Sequence, residues 1–444
     1  MAAVSLPNWL KRFRPKHQAG PWCRTALATN PSLQQAVEAI QTQLRGCGDA
    51  DLALVFASAS YASDLPRLLP LLRQKLRAHH WLGCLGGGVV GTGCDGIAHE
   101  LEQEPGLSVT LLRLPGARLQ PFAIDTASLP DLDGPAEPWL DLLTPAATSG
   151  PPSSHAGSGS ASPGPSSMLL LLDPTCPAIN DLISGLDYAC PEAVKVGGIA
   201  GQHSSPHGSL LFGDGVRRGA IGCLIEGDWA LEPVVAQGCR PIGPVLEVEQ
   251  AQRNVVLAVS EGGRHRHSPV AALQAILSRL TPQERELVKH SLFLGVGHSN
   301  FRLEADGEID SPAFLVRNLI GVDPRNGAVA VAERMRVGQQ VQFQLRDGEA
   351  SRQELRQLLQ RQQARSTTTP LALLLFACLG RGKGLYGHSD GDVTVAREVF
   401  GALPVAGAFC NGEIGPIGGT THLHGYTASW GILVRRLTPP LPAR

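Results

Sequence analysis

The chain predicts an α/β protein built of layered sheet-and-helix domains, and three observations carry that prediction. The runs Leu52–Ser58, Met168–Pro174 and Leu371–Cys378 are apolar without alternation, as expected of strands buried on both faces in sheets covered by helices. Each run leads to a helix-like stretch, a glycine-bearing apolar strand and a further apolar strand, so one strand–helix–strand–strand unit is read three times. The 444 residues are 43% apolar, enough for packed cores in two or three domains.

Residues 1–24 read as a basic arm, in which Lys11, Arg12, Arg14, Lys16 and Arg24 precede the first acidic residue, Glu38. Organelle transit peptides start this way, but Pro7, Pro15 and Pro21 interrupt any long amphipathic helix, and a frayed arm is the plainer reading. In the first unit a helix over Asp64–Arg77 precedes WLGCLGGGVVG at Trp81–Gly91 and a strand near Val109–Leu114. In the second, a helix at Ile179–Tyr188 precedes VKVGGIAG at Val194–Gly201 and the strand Gly219–Gly227. In the third, a helix at Val393–Leu403 precedes Pro404–Gly415 and the strand His424–Val434. The pattern places Gly86, Gly198 and Gly407 at matching positions. Thr144–Ser167, rich in Pro, Gly, Ser and Ala, lacks any apolar face and reads as a disordered insertion.

From Gly238 the pattern changes to short strands and turns, then helices at Pro269–Leu280 and Pro282–His290, then strands over Ser311–Asp347. Asn326-Gly327 marks a hairpin, and Ala350–Ala364 an exposed helix rich in Gln and Arg. The domain boundary is therefore placed between residues 25–237 and 238–444.

Charge excludes some functions. With 38 basic and 39 acidic residues, no overall field steers the chain to nucleic acid or an anionic membrane. No apolar run reaches the roughly 20 residues of a membrane helix. The ten cysteines form no CxxC pair, which favours free thiols in a reducing compartment over disulfides or zinc. A cytoplasmic protein is expected, or an organellar one should the arm be a targeting segment. None of the glycine clusters matches a Walker loop, and each also reads as simple close packing.

Candidate site residues gather on two turns of the third unit. Cys378, Gly380, Arg381 and Gly382 follow one strand; Asn411, Gly412 and Glu413 follow the next. With the helix between them, the two strands run parallel and adjacent and bring both turns to one sheet edge, where ligands of open α/β sheets bind. Arg381 suits a ligand carboxylate, or equally a salt bridge to Glu413. Glu413 and Asn411 suit a ligand ammonium, or Glu413 caps a turn. Cys378 reads as a ligand contact, a reactive thiol or a small buried hydrophobe. His422 and His424 share one side of a strand with no third metal ligand in view, and His388 sits on an exposed loop.

The stretches Gln237–Pro244, Phe314–Val331, Phe376–Gly382 and Ala406–Pro416 together resemble the FIST family, in the family's order. The likeness spans about residues 25–435, with an N-terminal FIST domain followed by a C-terminal one. It implies a non-enzymatic sensory module that binds a small, amino-acid-like ligand and signals through a partner protein in trans, since no output domain is visible. Relatives that bind haem or recruit substrates beside an F-box leave a haem sensor and an interaction scaffold as alternatives. A further one is a cysteine-dependent enzyme pairing Cys378 with His422 or His424, for which no Cys-His spacing is recognisable. The cofactor is left unassigned, and no catalytic or metal-binding residue is assigned.

Overall fold

The computed structural model describes residues 20–144, 166–201, 206–297 and 314–436. It is a mixed α/β structure of four sheets. Three six-stranded sheets share one order of pairing. The first runs Trp22–Ala28, Leu107–Arg113, Ala50–Ser58, Ala78–Gly86, Leu210–Phe212, Gly215–Arg217. The second runs Ala117–Ile124, Ala220–Gly227, Ser167–Leu172, Val194–Ile199, Glu413–Ile417, Thr420–His424. The third runs Trp229–Ala236, Ala428–Arg435, Ala372–Cys378, Val405–Cys410, Gly88–Thr92, Ala98–Glu102. In each, only the third and fourth strands are parallel, because a helix connects them. The last two strands of each sheet are a hairpin supplied from a distant part of the chain, so the sheets interlock.

One face of all three sheets meets in a common core, where Leu54 and Phe56, Leu169 and Leu171, and Leu374 and Phe376 pack together. Phe56 and Phe376 make an edge-to-face contact at 6.0 Å. The opposite faces are covered separately by helices: Leu33–Gln43 and Leu65–Lys75 on the first sheet, Ile179–Ala189 on the second, Gly348–Arg365 and Gly391–Phe400 on the third. Double-sided burial explains why the strand sequences do not alternate.

Parallel strands approach so closely that one position in each sheet must be glycine. A Cβ on Gly83, Gly197 or Gly407 would stand 1.7, 1.7 and 1.8 Å from the carbonyl oxygens of Val55, Leu170 and Leu375. The matching glycines are thus Gly83, Gly197 and Gly407; Gly86 and Gly198 lie three and one positions further along their strands. Just beyond these strands the sheets are tied in a ring, Gly87 N–H to Phe409 O, Asn411 N–H to Ile199 O and Gly201 N–H to Leu85 O, each 2.9 Å.

Between Trp229–Ala236 and helix Gly348–Arg365 the chain builds a closed antiparallel barrel. Its strands are Leu246–Gln252, Val255–Glu261, Val329–Val331, Phe314–Val322, Leu292–Gly297 and Gln340–Arg346, the last pairing back to the first. Apolar side chains fill it, including Val248, Leu294 and Phe343. Helix Pro282–Ser291 begins with a capping box between Thr281 and Glu284. Gly327 supplies the positive φ of the hairpin.

Two expected boundaries change. Residues 22–24 of the basic arm belong to the strand Trp22–Ala28, held by its pairing with Leu107–Arg113. Of the expected insertion, Ser167 opens a strand and its Oγ accepts the Leu231 N–H at 2.9 Å; residues 145–165 lie outside the described residues. No helix among the described residues is long and apolar enough to cross a membrane.

Candidate functional site

Strands Ala372–Cys378 and Val405–Cys410 are parallel, with Cys378 directly opposite Cys410. Both turns therefore emerge at the same edge, and the Leu379 N–H reaches back to Cys410 O at 3.0 Å.

Arg381 turns inward and is fully buried. Its Nε and Nη2 donate to the two oxygens of Asp392 at 2.7 and 2.6 Å, a bidentate pair. Nη2 also reaches Tyr386 Oη at 2.7 Å and Ser351 Oγ at 3.1 Å, and Nη1 reaches Tyr426 O at 3.4 Å. Neither a ligand carboxylate nor Glu413 is its partner: the guanidinium is consumed by Asp392, which opens the following helix. Gly382 takes φ +55, and a Cβ there would press on the Glu102 carboxylate, 2.2 Å away. Glu102 accepts the Lys383 N–H at 2.9 Å. Glu100, two residues earlier on the same face of the strand, accepts the Asp392 and Val393 N–H groups at 2.9 and 2.8 Å. Burial, then Asp392, push its carboxyl up to about 8. The Arg381 turn is thus bolted to the hairpin Gly88–Thr92 and Ala98–Glu102 at the end of the third sheet.

The other turn differs. Glu413 is fully buried and sits in a strand rather than capping a turn. One oxygen accepts the Thr427 N–H at 3.1 Å; the other, Oε1, meets no hydrogen-bond donor. Among the described residues no cation lies within ion-pair distance, and burial holds the carboxyl well above the usual carboxylate range. Asn411 is exposed, while the Gly412 carbonyl accepts the Ile199 N–H at 2.8 Å and a Cβ on Gly412 would stand 2.9 Å from Ile199.

Beside Glu413 stands Cys378, half-buried. Burial pushes its thiol up to about 11, so it is no thiolate at neutral pH. The barrel contributes Arg346, whose Nη2 donates to Gly380 O and whose Cζ lies 5.3 Å from the Tyr426 ring centre. Its Nε is buried without an acceptor, and no carboxylate among the described residues pairs with it. Tyr426 in turn packs on Phe293 at 4.3 Å and donates to Asn318 at 2.7 Å, closing the seam between barrel and sheet.

The pairing registers give Glu413 its context. It stands opposite Gly198; at the same place in the first sheet Leu210 stands opposite Cys84, and in the third Val89 opposite Ala408. Likewise Cys378, Ser58 and Asp173 each donate a backbone N–H across the sheet, to Thr427, Gly106 and Gly219, at 2.8–2.9 Å. Two of the three sheets have an aliphatic residue where the second has a carboxyl.

Arg346 and Tyr426 carry no sequence signal, because each looks like an ordinary strand-end residue until the barrel folds back. His424 is buried with Nε2 2.9 Å from Gly415 O, His422 lies 6.1 Å from it ring to ring, and exposed His388 contacts Arg352 at 3.1 Å. Among the described residues no group of three or more His, Cys, Asp or Glu could hold a metal ion.

Interlocked, helix-covered sheets with a polar cluster at the carboxyl ends of parallel strands define a mixed α/β protein. Residues 51–261 match the FIST N domain and residues 272–416 the FIST C domain. The chain belongs to the FIST family, which is generally associated with sensing and signal transduction. It is also similar to uncharacterised proteins of Mycobacterium tuberculosis, one 32% identical over 420 residues, covering 92% of this chain and 98% of that protein. One from Mycobacterium bovis is 31% identical over 420 residues, covering 92% and 97%.

Proposed function

We propose that this chain is a non-enzymatic sensory module that binds a small ligand at the seam lined by Cys378, Gly380, Arg346, Tyr426 and Glu413, and signals through a partner protein. One observation carries the reading: a buried carboxyl with an unpartnered oxygen beside an arginine with a buried, unpartnered Nε. Natural interiors rarely leave such groups unmade, and a ligand is one way to complete them. The register supports it. We infer that the three sheets are copies of one strand–helix–strand–strand unit with an exchanged hairpin; if so, Glu413 replaces an aliphatic residue at a stability cost that a binding role explains. A protonated Cys378 thiol, bonded to no histidine, favours binding over nucleophilic chemistry. For the partner, exposed Ile320 and Val322 at the end of a barrel strand offer a contact surface.

Native mass spectrometry of the freshly purified chain is the test. A co-purified small molecule is expected on the wild type and absent from Arg346→Ala and Glu413→Leu, both folded by circular dichroism. A molecule retained equally by both variants would place the site elsewhere.

A further inference from the structure

We propose that the ligand is a small carboxylate carrying a second oxygen acceptor and no ammonium group, a 2-oxo or 2-hydroxy acid rather than an amino acid. The inference rests on the site assigned above and follows from its charges. Arg381 is neutralised by Asp392 at 2.6 Å and contributes no free charge. Among the described residues Arg346 is the one uncompensated cation of the cluster, held by Gly380 O and the Tyr426 ring. One guanidinium balances one negative charge, which suits a carboxylate better than a phosphate dianion.

At the other end, an amino acid would need a carboxylate for its ammonium. Glu413 is not a carboxylate here: it is fully buried, has a single backbone donor in Thr427, and among the described residues has no cation partner to hold a charge. A buried carboxyl without a counter-charge keeps its proton. Protonated, it accepts at Oε2 and donates from Oε1, the atom that now meets nothing. The Cys378 thiol beside it is likewise uncharged. A cation and two neutral donors make a site for oxygen atoms. Because Glu413 is fully buried while Cys378 and Arg346 are only half-buried, only a compact ligand reaches both ends.

Isothermal titration of the full chain with pyruvate, lactate and 2-oxoglutarate, against alanine and glutamate, tests the class. At least one oxo or hydroxy acid should bind about tenfold or more tighter than its amino counterpart. Glu413→Gln, whose amide N–H replaces the carboxyl O–H, should keep that binding within about threefold, and Arg346→Gln should lose about tenfold or more. Tighter binding of the amino acids, or loss of binding in Glu413→Gln, overturns the proposal. If no probe binds while a co-purified molecule still depends on Arg346 and Glu413, the class is wrong and the site stands. If acids bind equally to both variants and the wild type, the site itself fails.

Discussion

Two arginines at one sheet edge have met opposite fates. Arg381 is fully buried and satisfied, with Asp392, Tyr386, Ser351 and a backbone carbonyl around its guanidinium. Arg346, from the barrel, is half-buried with an open Nε and, among the described residues, pairs with no carboxylate. The first holds the turn in place; the second is the one we read as a binding group. Burial alone does not mark a functional residue. Two unmet groups in one cluster are the sharper mark, since single unmet atoms such as Glu100 Oε2 and Trp430 Nε1 also occur in the interior; at the positions corresponding to Cys378, Ser58 Oγ accepts the Gly106 N–H at 2.9 Å and Asp173 takes Ser209 N–H and Oγ at 2.8 and 2.6 Å.

The contrast breaks most visibly at Arg381. Arg381→Met leaves Asp392 buried without its cation and should cost about 3–5 kcal/mol in urea unfolding, as should Asp392→Asn, whereas a double apolar replacement should recover much of the loss. Arg346→Gln, which breaks no ion pair, should cost under about 1 kcal/mol. Equal losses at the two arginines would erase the distinction between bolt and site.

Glu413→Leu copies Leu210 of the first sheet and should act in the other direction. Removing a buried, half-satisfied carboxyl should raise stability by about 1–3 kcal/mol, a few degrees in melting temperature. The gain should depend on pH. Arg346, Arg381, Cys378 and Cys410 face the carboxyl, and burial outweighs both cations in raising its pKa above 4.5. Between the unfolded value near 4.5 and the higher native one, the native state binds one proton more than the unfolded state, so wild-type stability falls as pH rises. The advantage of Glu413→Leu should therefore be small below pH 4.5 and widen above it. An advantage that shrinks with rising pH would mean that Glu413 is ionised and paired in the native state.

How far the sequence reaches is clear from these same residues. Strands such as Met168–Leu172, buried at every position, are legible because unbroken apolar runs have few other solutions. The parallel pairing that brings Cys378 beside Cys410 follows from a helix joining two strands. The exchanged hairpins were hidden: Gly88–Thr92 follows the first unit's strand in sequence but pairs with Val405–Cys410, a choice made by packing across the common core. The matching glycines slipped in register for a related reason, since what demands Gly83, Gly197 and Gly407 is a carbonyl on the neighbouring strand. Arg381 had an obvious carboxylate candidate in Glu413, yet Asp392, at the start of the next helix, lies where the guanidinium points. Arg346 reaches the site only because the barrel folds back onto the sheet.

The smallest expected effect sharpens the comparison at Cys378, which corresponds to Ser58 in the first sheet. Cys378→Ser should change stability by less than about 1 kcal/mol, because the thiol is half-buried and its replacement keeps size and hydrogen-bonding capacity. The wild-type thiol gives the finer reading. With burial holding its pKa at about 11 rather than 9.0, the thiolate fraction at pH 8 is about a hundredfold lower than for an ordinary cysteine, and alkylation, followed peptide by peptide, should be correspondingly slow. Exposed Cys94 serves as the internal standard. Glu413→Gln should leave the Cys378 rate nearly unchanged at pH 8 if Glu413 is already neutral, since no charge is then removed. A large acceleration in that variant would show a carboxylate beside the thiol, and with it a site made for a cation rather than for an acid.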